Sequence, residues 1–162
     1  MTLIEKVLFL QEVELLSSLS PEQLARIGLI TREMEAAPGQ VLFREKTLSD
    51  SVYIIVRGEV AIKLSGESFH IASEKDVVGT WALIADEPMA VTATVKEEAH
   101  LLQIKREDFF DLLADHSEIM QNIFHILVRR IRRLIEEGCH GSVLHPEPVH
   151  ASLHSRHYVL GR

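Results

Sequence analysis

The sequence has one cysteine, one tryptophan and five prolines, and fewer basic than acidic residues. A lone thiol, Cys139, cannot close an intramolecular bridge, so a disulfide framework is excluded and a reducing cytoplasm is the expected setting. No apolar stretch approaches the roughly 18 residues of a membrane span. The longest early run, Val7 to Leu10, follows Glu5 and Lys6 with no small-residue cleavage site behind it, which argues against a secretion signal. Seventeen Lys plus Arg against twenty-four Asp plus Glu leave a formal charge of −7. That balance speaks against general affinity for nucleic acid or anionic membrane, while a local basic patch stays open. What remains is 162 residues with 46% hydrophobic content. A single domain of this size buries roughly 70% of its unfolded surface and needs no disulfide or metal staple.

Composition divides the chain at Gly138. Residues 1–137 hold 23 of the 24 acids and 15 of the 17 bases, and residues 138–162 hold five of the nine histidines with Pro146, Pro148 and three glycines. The expectation is a folded domain over 1–137 and a disordered tail over 138–162. Within the domain the periodicity is first helical. Ile4, Val7, Leu8 and Leu10 lead to Ser20-Pro21-Glu22-Gln23, a capping box with proline at the first helical position, which predicts a helix over about 21–33. From Glu35 the pattern changes to short runs rich in Val, Ile, Phe and Thr: 41–43, 52–56, 60–64, 69–72, 91–95 and 101–104. Turn residues such as Pro38-Gly39, Gly58 and Ser65-Gly66 separate them, which predicts a sandwich, barrel or jelly roll. Gly79 to Asp86 reads as a short helical turn inside this β block. Helical periodicity then returns over 108–114 and 117–137. In the last segment Met120, Phe124, Leu127, Ile131 and Leu134 step by four and three, the seam of two-helix packing, and Ile119, Ile123 and Ile126 widen it.

This order of elements, together with local strings, resembles the cyclic nucleotide-binding domain superfamily from about Leu8 to Leu134. The strings are Leu15-Leu16-Ser17-Ser18-Leu19-Ser20, Pro38-Gly39-Gln40-Val41-Leu42-Phe43, Asp50 through Val60, and Asp108-Phe109. The resemblance implies a mainly β fold, a double-stranded β-helix or jelly roll with N-terminal helices and two C-terminal helices. It also implies that function sits in a phosphate-binding cassette, usually Gly-Glu-x-Ala-Leu followed by Pro-Arg-Ser/Ala-Ala-Thr. Here the stretch aligns without a gap as Gly79, Thr80, Trp81, Ala82 and Leu83, then Pro88, Met89, Ala90, Val91 and Thr92. Thr80 replaces the Glu that would bind a ribose hydroxyl, and Met89 replaces the Arg that would pair with the cyclic phosphate. Losing a charge-assisted phosphate contact and a ribose contact removes on the order of 3–5 kcal/mol, or roughly two to four decades in affinity.

The cassette backbone keeps what a glycine and a helix start can offer an anion. Thr92 keeps a hydroxyl, and Met89 favours an apolar group over a phosphate. Trp81 is expected to pack inward. Lys46, Ser49 and Lys75 stand where relatives often have turn glycines, so those turns must use other conformations or longer-range support. Arg129, Arg130, Arg132 and Arg133 suit either a helix C-terminal dipole with a solvated face or a partner patch. Among the tail histidines, His140, His145, His150, His154 and His157, the i, i+4 pair His150 and His154 could chelate on a helix, but Pro146 and Pro148 break the region and no second Cys accompanies Cys139, so no metal is assigned. His70, His100, His116 and His125 are read as buried and scattered, and no catalytic motif is present, so no enzyme is expected. Twenty-five tail residues leave no room for a winged helix-turn-helix, which argues against DNA binding by this chain alone. The expected protein is a non-enzymatic regulatory module with lost or altered cyclic nucleotide binding. It would be cytoplasmic and not membrane-inserted, dimerising through the C-terminal helix or acting on a separate channel, transporter, kinase or regulator. A domain that senses cyclic AMP or cyclic GMP is the alternative.

Overall fold

A computed structural model describes residues 1–140, with side chains through Glu137. The chain divides into two compact units, Met1–Arg129 and Arg130–Arg162. The tail histidines other than His140, and the expected disorder of the tail, lie outside the described residues. Helix α1 (Leu3–Leu10) starts on a Thr2/Glu5 capping box. Helix α2 (Pro21–Ile30) starts on the Ser20/Gln23 box and the first-turn proline read from the sequence. It stops three residues earlier than expected. Thr31 turns extended, and its hydroxyl donates to the Gly28 carbonyl at 2.8 Å, closing the helix end. The chain then enters a strand, β1 (Arg32–Ala36), in which Ala36 alone is buried.

Seven more strands follow: β2 (Val41–Phe43), β3 (Ser51–Arg57), β4 (Val60–Leu64), β5 (Glu67–Ala72), β6 (Val77–Val78), β7 (Thr92–Val95) and β8 (Ala99–Lys105). They form two four-stranded antiparallel sheets, in the orders β1-β8-β3-β6 and β2-β7-β4-β5. This is the β-roll with flanking helices that the resemblance implies. The β4–β5 hairpin closes through Ser65 and Gly66, both at positive φ (51° and 87°), a geometry whose twist matches the flanking strands.

In the first sheet, β3 and β8 are buried on both faces. Between the sheets, Phe43, Tyr53, Ile55, Val60, Val95 and Leu101 form the roll core. On the other face, Val52, Ile54, Leu102 and Ile104 pack with Leu10, Leu24 and Ile27 from α1 and α2 and with Ile119. This double burial explains why β3 reads as an unbroken apolar run rather than as alternation. Each fully buried side chain of this kind contributes about 1.5–3 kcal/mol.

Two helices complete the described chain, α4 (Arg106–Asp115) and α5 (Ser117–His140). Ile119 and Ile126 of α5 are buried, and Ile123 is partly buried beside them. Of the residues singled out as a seam, Met120 and Phe124 are 51% and 65% exposed, and in the second unit Ile131 and Leu134 are 57% and 61% exposed. Leu127 is half-buried. The histidines correct an expectation, since His70 and His125 are exposed and His100 and His116 are half-buried. Polar partners hold the last two. His100 lies 3.2 Å from Glu33, and His116 Nε2 accepts from the Arg26 guanidinium at 2.7 Å.

Candidate functional site

Gly79 opens the cassette at φ +86°, in the left-handed region that glycine tolerates. A Cβ there would stand 3.0 Å from the Phe43 ring and 3.1 Å from the Ser51 carbonyl, so the roll closes directly onto this backbone. The helix that follows, α3 (Trp81–Ile84), is four residues long, shorter than the expected turn. The amides of Ala82 and Leu83 donate to the Gly79 and Thr80 carbonyls at 2.9 and 3.1 Å, which leaves less for an anion than the sequence suggested. Thr80 precedes the helix without a side-chain capping bond. Ala82 points into the roll core and Leu83 into the helix-side core. Trp81 is 51% exposed, against the inward packing expected of it. In a helix of one turn with Ala82 and Leu83 facing the cores, Trp81 and Ile84 are left on the solvent side.

Met89 is the telling position. It is 3% exposed and belongs to the roll core with Phe43, Tyr53 and Ala82. Its backbone is held from both sides by the turn after β2: Met89 N–H donates to the Thr47 carbonyl at 2.9 Å, and Lys46 N–H donates to the Met89 carbonyl at 2.7 Å. Lys46 itself adopts φ 61°. Thr92 Oγ1 accepts the Glu45 N–H at 3.0 Å, so this hydroxyl already serves the same turn. Ala90 is exposed. The structure therefore gathers Gly79, Ala82 and Met89 around Phe43, turns Leu83 to the helices, leaves Thr80 and Thr92 half-buried, and sends Trp81 and Ala90 outward.

Several residues outside the cassette string shape the site. Phe43 closes on Gly79, and Lys46 and Thr47 clasp Met89. Arg106, at the start of α4, reaches back to Asp86 at 3.0 Å and lies 5.6 Å from the Phe110 ring centre. An Arg twenty positions from an Asp carries no spacing signal, because only the β-roll brings the two together. Among the described residues no group of His, Cys, Asp and Glu is arranged to hold a metal ion, and no helix is long and apolar enough to cross a membrane.

Known proteins share this architecture. The N-terminal domain of a transcriptional regulator from Streptomyces coelicolor A3(2) superposes with a TM-score of 0.71 at 23% identity, covering 78% of this chain and 94% of that one. A cyclic nucleotide-binding-like protein from Brucella abortus superposes at 0.59 with 27% identity, covering 68% and 98%. By sequence, a cAMP-dependent protein kinase regulatory subunit of Emericella nidulans is 31% identical over 115 residues, or 70% of this chain. The chain spans 28% of the length of that regulatory subunit. The model of the cyclic nucleotide-binding domain family matches residues 33–116, which run from β1 to the end of α4. The chain belongs to the cyclic nucleotide-binding domain family.

Proposed function

We propose that this chain is a non-enzymatic regulatory module whose cyclic nucleotide site is closed from within, and that it works through contact with itself or with a separate effector. The observation that carries this reading is Met89. Where the family's phosphate-pairing Arg would stand there is an uncharged side chain, 3% exposed, packed among Phe43, Tyr53 and Ala82. A phosphate brought there would lose its hydration without gaining a cation, at a cost of several kcal/mol. Thr80 and Thr92 cannot make up the difference, since neutral hydrogen bonds contribute about 0.5–1.5 kcal/mol each.

The contact surface supported best is α5. Met120, Phe124 and Val128 are exposed apolar residues on a helix whose other face is already buried, and Ile131 and Leu134 continue the same spacing. A second copy of this chain is the simplest cover for such a stripe, giving a homodimer with α5 at its centre. The effector is a separate cytoplasmic protein, a channel, transporter, kinase or regulator, and DNA binding by this chain alone forms no part of the reading.

A second reading, a working cyclic AMP or cyclic GMP sensor, draws on Gly79, which keeps the left-handed turn, and on the half-buried Thr80 and Thr92 hydroxyls. Calorimetric titration with both nucleotides separates the two. The expected result is no binding tighter than about 10 μM, and a tighter constant would overturn the closed-site reading. The double variant Thr80→Glu/Met89→Arg is expected to create or strengthen binding by at least about a hundredfold, the lower end of the loss ascribed to the two substitutions. No gain would mean that Phe43 and its neighbours, rather than positions 80 and 89, close the pocket.

A further inference from the structure

One open cavity lies outside the cassette core. It is a groove of about 630 Å³ between β2, the turn that follows it, the end of the cassette and the start of α4. That volume falls within the range of small-molecule sites. Phe43 and Tyr53, at 6% and 7% exposure, are among its lining residues, with Leu42 and Leu48. The β2–β7 ladder shifts register between Val41 and Phe43, and such irregularities re-aim side chains beside binding sites.

The groove is lined by two arginines and two aspartates, Arg44, Arg106, Asp50 and Asp86. Asp86 is engaged by Arg106 at 3.0 Å, and Asp50 accepts the Ser51 hydroxyl at 2.7 Å with the Lys105 ammonium at 3.9 Å. Arg44 makes no side-chain hydrogen bond or ion pair among the described residues. Its backbone is nevertheless fixed, because the Thr47 hydroxyl and amide both donate to the Arg44 carbonyl, at 2.7 and 3.3 Å. An unmatched guanidinium on a fixed turn, above an aromatic and aliphatic groove, matches a ligand with one anionic group on a flat apolar body.

We infer that this groove is a second ligand site, and that it takes a small aromatic carboxylate or monophosphate, with Arg44 binding the anionic group and the Phe43, Tyr53 and Leu48 side chains contacting the ring. The site is distinct from the cassette pocket, although the two share a wall. The turn that carries Arg44 is the one that holds Met89 through Lys46 and Thr47. An occupant of the groove would therefore press on the cassette without entering it.

The test uses the full-length, isotope-labelled chain titrated with 1-naphthoate and with phenyl phosphate, followed by amide chemical shifts. Saturable shifts are expected within residues 41–50 and at Tyr53, Asp86 and Arg106, with a dissociation constant on the order of 0.1–1 mM for ligands of this size. Arg44→Gln should weaken the binding of both probes about tenfold or more while leaving the spectrum of the free protein intact. Leu48→Glu, which puts an anion on the rim, should weaken it as well. Absence of saturable shifts, shifts centred on 79–92, or unchanged affinity in Arg44→Gln would each overturn the proposal. Cyclic nucleotide binding at the cassette would contradict the closed-site reading and leave this one standing.

Discussion

Lys46 and Lys75 hold backbone conformations that a side chain disfavours, at φ 61° and 72°. At Lys46, Ser49 and Lys75, where turn glycines are missing, the expectation was another conformation or longer-range support, and the two lysines take the second course. They keep the left-handed shape, and hydrogen bonds hold them in it: Lys46 N–H donates to Met89 and Lys75 N–H to the Ile55 carbonyl. The left-handed region costs a non-glycine residue about 1–2 kcal/mol, part of which glycine forfeits through its freer unfolded chain. Lys46→Gly is therefore expected to stabilise the fold by about 1 kcal/mol and raise the melting temperature by about 3 °C, read by calorimetry. A loss of stability instead would show that the Lys46 side chain holds the turn. Other residue-level features were legible only in part. The substitutions at 80 and 89 could be read by alignment with a family pattern, whereas the burial of Met89 and the exposure of Trp81 depend on how a one-turn helix is rotated between two cores.

Among the elements, those with strong local chemistry matched expectation. Ser20, Pro21 and Gln23 define the start of α2, and six apolar runs mark six of the eight strands. Those without such chemistry were missed. β1 carries Arg32, Glu33 and Glu35 and buries only Ala36, and β6 has two residues, too few for any period to show. α5 is instructive for a different reason. Its periodicity announced an apolar face wider than one neighbour needs, and the structure resolves that face into a buried part, Ile119 and Ile126, and an exposed part led by Met120 and Phe124. Phe124, at 65% exposure, is the better probe of self-association, since half-buried Leu127 also contributes to the monomer. Light scattering is expected to give twice the monomer mass for the native chain and the monomer mass for Phe124→Asp, with the melting temperature of the dilute protein little changed. A native chain that is monomeric at all concentrations would remove α5 as a self-contact.

For the molecule as a whole, the order of elements was more informative than any single string, because helix, roll, interrupting turn and paired helices occur together in few folds. Burial also sets how stability responds to alkali. Burial raises the Tyr53 hydroxyl above its ordinary value, against the opposing hydrogen bonds with Gln103 and Ser51. The folded chain keeps that proton where the unfolded chain has released it. The unfolded state then binds fewer protons, so the Tyr53 contribution is whole below about pH 10 and declines as pH rises through the raised value. Denaturant titrations at about pH 9 and pH 11 should show a loss of stability that is smaller in Tyr53→Phe. The Lys75 and Lys96 ammoniums, raised mainly by Glu12 and Glu59, act in the same direction from the solvent side and remain in the variant. An equal loss in both proteins would assign the whole alkaline effect to them.

One short helix has a thermodynamic consequence for the unit Met1–Arg129. α3 gives Ala82 to the core between the sheets and Leu83 to the core under the helices, and the sheet that separates those cores lends a face to each. Neither core can therefore melt while the other stays dry. The roll and its helices should unfold as one cooperative transition, with amide exchange in β3 and β8 requiring opening of the entire unit.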